Sequence, residues 1–121
     1  MKLPQDITVY RGTDSRPFEQ LLEIDQLTGE YNWHTLIGKT FKEYAFLSTS
    51  VEQRAAFNHL NVSWEINLPK GTTGGMLNQV SNYPIEAEFL LNAGQEFLIS
   101  DTKVDSFGNV KVIMDLILNS K

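Results

Sequence analysis

The sequence predicts an α+β domain rich in antiparallel sheet, and two observations lead to that fold class. The chain has 121 residues, 41% of them hydrophobic and 21% charged, which suits one domain with one apolar core. Short β-prone segments separated by turn residues make up most of the chain, and only two stretches have helical character. Six or seven strands with one or two helices therefore indicate an α+β architecture.

The first half of the chain combines the two helical stretches with two strands. Residues 7–10 are a β-prone run. A helix is expected over residues 17–28, because a proline suits its first turn, apolar side chains follow at helical spacing and a glycine stands after its end. Residues 30–40 are expected to form a loop with irregular turns, residues 41–48 a strand and residues 52–60 a short helix.

The second half of the chain is a series of strands, expected at residues 62–68, 86–91, 96–100 and 110–118. The glycine-rich residues 71–75 predict a flexible turn region after the first of these strands. The Ser-Phe-Gly-Asn tetrad at residues 106–109 predicts the turn of a hairpin. These segments supply most of the predicted sheet.

Composition and charge exclude several kinds of protein. The residue mix excludes a disordered or collagen-like chain, and the absence of cysteine excludes a disulfide scaffold and a cysteine-ligated metal site. The net charge of −5 argues against duplex nucleic acid as the main partner, because phosphate binding needs clustered Lys and Arg. His34 and His59 lie far apart with no ligand spacing around either, so no metal site is expected.

Nothing in the sequence predicts a membrane span or classical secretion. No apolar run approaches the ~20 residues needed to cross a bilayer. The N-terminal run MKLPQDITVY lacks the apolar region of a signal peptide. We therefore expect a cytoplasmic protein, or one delivered to a target cell by a non-classical route.

A pair of glutamates marks the start of one predicted strand. Glu86 and Glu88 stand two residues apart, so the period of a strand puts both carboxylates on one face. Like charges placed in this way repel, which tends to raise the pKa of one of them. A solvated strand face is the alternative interpretation. The polar, turn-forming loop at residues 78–84 favours a functional pair, because such a loop is able to close over a ligand.

Three consecutive hydroxyl residues end an earlier predicted strand. Ser48, Thr49 and Ser50 place short, uncharged donors there, which can orient a carboxylate or a ribose without neutralising it. The alternative interpretation is that Ser50 caps a helix beginning near Glu52. The two interpretations are compatible, since one serine can cap while another binds.

An arginine follows the first predicted strand. Arg11, with Gly12 after it, can offer a guanidinium fork and an unobstructed backbone to a phosphate or a carboxylate. For an isolated arginine, a surface ion pair at a strand end is the more common arrangement and stays open as the alternative.

The order and spacing of these three motifs resemble the arginine–serine–glutamate class of mono-ADP-ribosyltransferases, to which bacterial exotoxins including the clostridial binary-toxin group belong. The similarity spans residues 9–97 and includes the words Y-R-G-T, F-L-S-T-S, L-P-K-G-T, Y-P-I-E-A-E and A-G-Q-E-F. The resemblance implies a mostly antiparallel, β-sandwich-like core with one or two helices. It also implies that residues 1–121 form one catalytic domain. The sequence departs from the family because its arginine strand begins at residue 7, so the helical segment that precedes that strand in the family is missing, supplied by another part of a longer protein or replaced by the helix expected over residues 17–28.

The resemblance implies NAD as the substrate, without a metal, and assigns roles around it. Arg11 would hold the phosphates or the nicotinamide-ribose side, and Gly12 would let the backbone reach the nicotinamide amide. The motif Ser48–Ser50, with Thr49 at its centre, would line the NAD site, and Ser48 would orient Glu88. Glu88 would accept a hydrogen bond from the ribose 2′-hydroxyl and stabilise the positive charge that develops as the nicotinamide bond breaks.

The resemblance also assigns roles toward an acceptor protein that carries a target arginine. Glu86 would orient that guanidinium and take its proton, since a protonated guanidinium is a poor nucleophile. Tyr83 would contact the acceptor, and Arg54 is the one candidate for a second phosphate-clamping arginine after the serine motif. Two alternatives stay open: an NAD glycohydrolase that uses water as acceptor, and a non-catalytic β-rich binding module of a larger protein.

Overall fold

The computed structural model describes residues 2–53, 60–77 and 88–118, and over these ranges the protein is built almost entirely of strands. The ten strands are β1 (Ile7–Thr13), β2 (Glu23–Ile24), β3 (Tyr31–Asn32), β4 (Thr40–Glu43), β5 (Leu47–Ser50), β6 (Val62–Leu68), β7 (Gly74–Leu77), β8 (Glu88–Leu91), β9 (Gln95–Val104) and β10 (Val110–Ile117). Two short 3₁₀ helices span Arg16–Phe18 and Trp33–Leu36. The strand-rich fold with few helices confirms the predicted fold class.

Eight strands form one sheet in the order β4-β9-β10-β6-β1-β5-β8-β7, and β2 pairs with β3 in a separate hairpin. All pairs in the large sheet are antiparallel except β6 with β10. Strands β1 and β6 pair along the whole of β1, whereas β1 and β5 pair at one position, Tyr10 opposite Ser50. We therefore distinguish a five-strand group (β4, β9, β10, β6, β1) from a three-strand group (β5, β8, β7).

Both groups contribute side chains to one hydrophobic core. In β6 every second residue is fully buried, from Val62 through Trp64 and Ile66 to Leu68, as expected for a strand with one face on the core. Residues from the three-strand group join the same cluster, among them Phe89 and Leu91. The shared core explains how a sheet joined at a single register pair still makes one folded unit.

The prediction of a helix over residues 17–28 is wrong. After the single 3₁₀ turn Arg16–Phe18, the chain passes through turns into the β2–β3 hairpin. The Asp25 carboxylate accepts the backbone N–H groups of Leu27 and Thr28, and this local bond competes with helical bonding. Phe18 is fully buried, but Leu27 is 97% exposed, so the apolar spacing does not continue into a core-facing stripe.

The single strand expected over residues 41–48 is also wrong, because the structure contains two strands there. Strand β4 pairs with β9 in the five-strand group, whereas β5 pairs with β8 in the three-strand group. Between them the Glu43 carboxylate accepts the backbone N–H of Ala45, and the Glu43 carbonyl accepts that of Gly94. These bonds end β4 and let the chain change from one group to the other.

The later elements follow the prediction more closely. Strands over residues 62–68, 96–100 and 110–118 and the hairpin turn over residues 106–109 are confirmed, although β9 is longer than expected. Strand β7 begins at Gly74, inside the region expected to be a flexible turn. The expected strand 86–91 is present from Glu88 onward, and most of the short helix expected over residues 52–60 lies outside the described residues.

Candidate active site

The site lies where the two strand groups join, and a side chain makes part of that junction. Backbone pairing between β1 and β5 stops after Tyr10 and Ser50. The next residue of β1, Arg11, donates from Nη1 to the backbone carbonyl of Ser48 at 2.9 Å. A carbonyl at the junction of two strands needs a donor, and here a guanidinium supplies it. Arg11 and Ser48, 37 positions apart in the chain, are therefore brought together.

The remaining surroundings of Arg11 leave part of its guanidinium available. Its Cζ atom lies 5.9 Å from the centre of the Trp64 ring. Its Nε atom is buried and has no hydrogen-bond partner among the described residues. A buried N–H without an acceptor is costly, and an anionic ligand would satisfy it.

An open concavity of about 530 Å³ lies beside this arginine. Its lining comes from the end of β1, the turn that follows and one residue shortly before β6: Arg11, Gly12, Thr13, Asp14, Arg16, Pro17 and Leu60. Arg11 and Gly12, two of the six residues that the resemblance assigned to NAD, thus face a space large enough to receive part of a ligand, whereas Ser48–Ser50 and Glu88 are not among its lining residues.

The three hydroxyl residues of β5 have different surroundings. The Thr49 hydroxyl is buried and donates to the Phe89 carbonyl at 2.7 Å, and the Ser50 hydroxyl accepts the backbone N–H of Glu52 at 3.0 Å. Both bonds hold the backbone in place, and the helix that Ser50 would cap in its alternative role lies mostly outside the described residues. Ser48 is exposed, and its hydroxyl has no hydrogen-bond partner within the described ranges.

Glu88 lies on the same face as Ser48. In the β5–β8 register Glu88 is opposite Ser50, and Ser48 is opposite Leu90. Side chains of directly opposed residues share a face, so Ser48 and Glu88 are diagonal neighbours, roughly 7–8 Å apart between Cα atoms. Glu88 is half-buried, and no hydrogen bond joins its carboxylate to the Ser48 hydroxyl. The structure thus places the two groups on one face but not in contact.

Three of the residues singled out in the sequence lie outside the described residues: Arg54, Tyr83 and Glu86. Their roles remain predictions from the sequence. Within the described ranges, no group of three or more His, Cys, Asp and Glu side chains could hold a metal ion. Among these same residues no helix is long and apolar enough to cross a membrane.

Sequence reasoning missed two residues beside Arg11. Trp64 faces it from β6, and no sequence signal distinguishes this tryptophan from any other core aromatic. Arg16 lines the same concavity, but Asp14 accepts from its Nη2 at 2.7 Å and from its Nε at 2.8 Å. The side-chain hydrogen bond from Arg16 is the main reason why the pKa of Asp14 is lowered. Among the described residues that line the concavity, Arg11 is therefore the arginine without a carboxylate partner.

Comparison with known proteins relates the chain to a group of ADP-ribosyltransferases. The chain matches the family described as ADP-ribosyltransferase exoenzyme over residues 1–121. A mono-ADP-ribosyltransferase C3 from a Clostridium botulinum C phage is 26% identical over 113 residues, which are 86% of this chain and 46% of that protein. The NAD(+)–arginine ADP-ribosyltransferase EFV of Enterococcus faecalis is 29% identical over 106 residues, which are 81% of this chain and 18% of that protein.

A solved structure has the same fold. Plx2a, an ADP-ribosyltransferase toxin from Paenibacillus larvae, is 27% identical with a TM-score of 0.74, over 98% of this chain and 64% of that one. The chain spans less than half the length of each of the two curated relatives.

Proposed function

The chain belongs to the ADP-ribosyltransferase exoenzyme family, and from that premise we propose that it transfers ADP-ribose from NAD to an arginine of an acceptor protein and releases nicotinamide. One observation carries the proposal. Arg11 is anchored on the Ser48 carbonyl at the junction of the two strand groups, and the Ser48 hydroxyl shares a face with Glu88. Arg11 is thus bonded to the strand whose Ser48 hydroxyl lies on one face with Glu88, and an anion-binding group, a hydroxyl and a carboxylate are the groups that cleavage of NAD at its nicotinamide–ribose bond would use.

Arg11 would bind the phosphates of NAD. Its Nη1 is already held at 2.9 Å by the Ser48 carbonyl, so the guanidinium loses little further freedom when it accepts an anion. Its buried Nε lacks an acceptor among the described residues, and a phosphate oxygen supplies one. The adjacent Gly12 has no side chain to block the concavity, so the backbone there is accessible to the ligand.

Glu88 would act at the bond that breaks. NAD supplies a ribose joined to a cationic leaving group, and positive charge moves onto the ribose as that bond opens. A fixed carboxylate close to the ribose stabilises this charge more than it stabilises the ground state. The half-buried position of Glu88 supports this role, because charge stabilisation is stronger where water is partly excluded. The Ser48 hydroxyl, on the same face, would orient the ribose or the carboxylate.

The choice of arginine as acceptor rests on Glu86 and on a relative. The spacing of Glu86 from Glu88 puts a second carboxylate on the same strand face, which suits a guanidinium that must be oriented and deprotonated. The Enterococcus faecalis relative is an NAD(+)–arginine ADP-ribosyltransferase, which supports the same acceptor. Tyr83, in the segment before Glu86, would contact the acceptor protein.

The proposal is tested with labelled NAD and candidate acceptor proteins, by measuring released nicotinamide and protein-bound label separately. Glu88→Gln should reduce both by roughly 10²- to 10³-fold, the usual loss when a charge-stabilising group is removed. Glu86→Gln should lose transfer and keep hydrolysis. Glu96→Gln, the same change on β9 in the five-strand group, is the matched control and should behave like the wild type.

Three other outcomes would redirect or reject the assignment. NAD consumption without protein-bound label on any acceptor would favour the glycohydrolase alternative. Full activity of the Glu88→Gln variant would reject the catalytic site. If millimolar NAD does not raise Tm, the protein is a non-catalytic module, because a ligand that binds the folded state must stabilise it.

A further inference from the structure

Trp64 combines two contacts that a simple core residue does not need. Its side chain is 1% exposed and packs against the rings of Phe18 and Phe41, with centroids 5.2 and 5.4 Å away. A phenylalanine would fill such a position without burying a polar N–H group. The indole, however, faces a guanidinium and uses its N–H. We propose that Trp64 is a positioning residue, held by Thr13, which fixes the guanidinium of Arg11 for the phosphates of the dinucleotide; this inference rests on the proposed function.

The first contact joins Trp64 to Arg11. The two residues are directly opposite each other in the β1–β6 register, so their side chains share a face. The Arg11 Cζ atom lies over the indole ring at 5.9 Å from its centroid. A guanidinium in this position is attracted by the ring face and is also confined in its orientation. The guanidinium of Arg11 is therefore confined on one side by the Trp64 ring and at Nη1 by its hydrogen bond to the Ser48 carbonyl.

The second contact fixes the indole itself. Its Nε1 donates to the Thr13 hydroxyl at 2.9 Å, and that hydroxyl donates in turn to the Asp14 carbonyl at 2.9 Å. Thr13 is two residues after Arg11 on the same strand. These two hydrogen bonds fix the orientation of the Trp64 ring relative to β1, the strand that carries Arg11. The ring and the guanidinium are therefore held in a constant relation to each other.

These contacts leave a defined set of donors for a ligand. A guanidinium has five N–H groups. One is used by Ser48, and the Nε group has no acceptor among the described residues. With the guanidinium confined between the ring and the Ser48 carbonyl, its remaining donors would be held in fewer orientations when they meet a phosphate. Binding then costs less ordering, which lowers the NAD concentration needed for half-saturation.

The test compares three variants in NAD binding and in steady-state kinetics. Trp64→Leu removes the ring face and should raise both the Kd and the KM for NAD roughly 3- to 30-fold, with a smaller change in kcat. Trp64→Phe keeps a ring face and loses the N–H group, so it should recover most of the affinity. Phe97→Leu, in the same aromatic cluster but two rings beyond Trp64 by way of Phe41, is the control for a general loss of packing and should leave KM unchanged.

Failure of this inference and failure of the proposed function give different results. If Arg11→Ala leaves NAD binding unchanged, the proposed function fails. If Arg11→Ala weakens binding but Trp64→Leu shifts KM no more than Phe97→Leu does, only the positioning role is overturned. If Trp64→Leu does not fold, Trp64→Phe and Thr13→Val decide: small, equal increases in KM that do not add in the double variant support the bond between them, and additive increases or no increase overturn it.

A spectroscopic measurement checks the contact without using activity. Trp33→Phe leaves Trp64 as the single tryptophan of the chain. The emission of Trp64 should change when Arg11 is replaced by Ala, and NAD should change it in the presence of Arg11 but not in its absence. Emission that responds to neither would overturn the inference.

Discussion

The five-strand and three-strand groups of the large sheet differ in length, pairing and content. In the five-strand group, β9 spans ten residues and β10 eight, and they pair along nearly their whole lengths. In the three-strand group each strand has four residues. The long strands supply most of the fully buried core, whereas the short strands carry Ser48 and Glu88.

The comparison teaches how stability and chemistry are divided in this protein. Long, fully paired strands bury apolar side chains over many residues, and regions with few such contacts open more easily. The catalytic carboxylate that we propose thus stands on the less extensive part of the sheet. Arg11 reaches from the five-strand group to the Ser48 carbonyl and links the two parts through the residue proposed to bind NAD. NAD binding is therefore expected to stabilise the junction of the two strand groups, and an intact junction is expected to increase the affinity for NAD.

The largest expected change in stability comes from Gly74→Ala in β7. A Cβ atom there would lie 2.6 Å from the Leu90 carbonyl oxygen and 2.6 Å from the Phe89 ring, closer than real contacts allow. The strain should lower the free energy of unfolding by about 1–3 kcal/mol. Gly75→Ala is the matched control, because nothing lies within 4 Å of its Cβ position. The measurement is Tm together with amide exchange in β7 and β8.

One result of the amide-exchange experiment would contradict the view that the two strand groups differ in stability. If Gly74→Ala raised amide exchange equally in β9 and β10, the groups would open as one unit. Exchange raised mainly in β7 and β8 would show that the three-strand group opens separately.

A smaller effect distinguishes the two serines of β5. Ser50→Ala removes the acceptor for the Glu52 N–H group and should cost about 1 kcal/mol of stability. Ser48→Ala removes an exposed hydroxyl without a described partner, so Tm should not change. Its effect should fall on NAD cleavage, with a loss of roughly tenfold if the hydroxyl orients a charged group. Equal effects of both variants on Tm and on activity would contradict this division of roles.

The smallest effect concerns the hairpin turn between β9 and β10. The Asp105 carboxylate accepts backbone N–H groups, and the pKa of Asp105 is lowered, mainly by the bond from Asn109 and further by that from Phe107. Because the pKa of Asp105 is lower in the folded state, its carboxylate stabilises the fold fully at a pH above the ordinary pKa of an aspartate, about 3.9. That contribution is lost as the pH falls through the lowered value. Asp105→Asn should therefore reduce Tm slightly near neutral pH, with a difference from wild type that shrinks in acid.

A control keeps that pH test specific. Asp101→Asn removes a carboxylate from β9 outside the turn and controls for the general loss of one negative charge. A difference between the Asp105→Asn variant and the wild type that stays constant down to about pH 2 would mean that the turn bonds do not depend on the charge.

The sequence alone was sufficient for the elements whose signals are local. β-Prone runs bounded by turn residues predicted β6 and β10, and the Ser-Phe-Gly-Asn turn predicted the hairpin before β10. The same local rule placed the Ser-Thr-Ser motif at a strand end and Glu88 at the start of another. Where the local signal was ambiguous the prediction failed: Asp25 bonds to its own backbone instead of continuing a helix, and the segment after Glu43 leaves one strand group for the other.

The sequence by itself thus determined the strand-rich fold class, the positions of the later strands along the chain and the residue types that could bind a dinucleotide. Only the tertiary structure decided that Arg11 donates a hydrogen bond to the Ser48 carbonyl and that Trp64 lies opposite Arg11 on the neighbouring strand. The physical reason is that strand alternation is set by neighbours in the chain, whereas register and junctions depend on side chains that are distant in sequence and packed around one core.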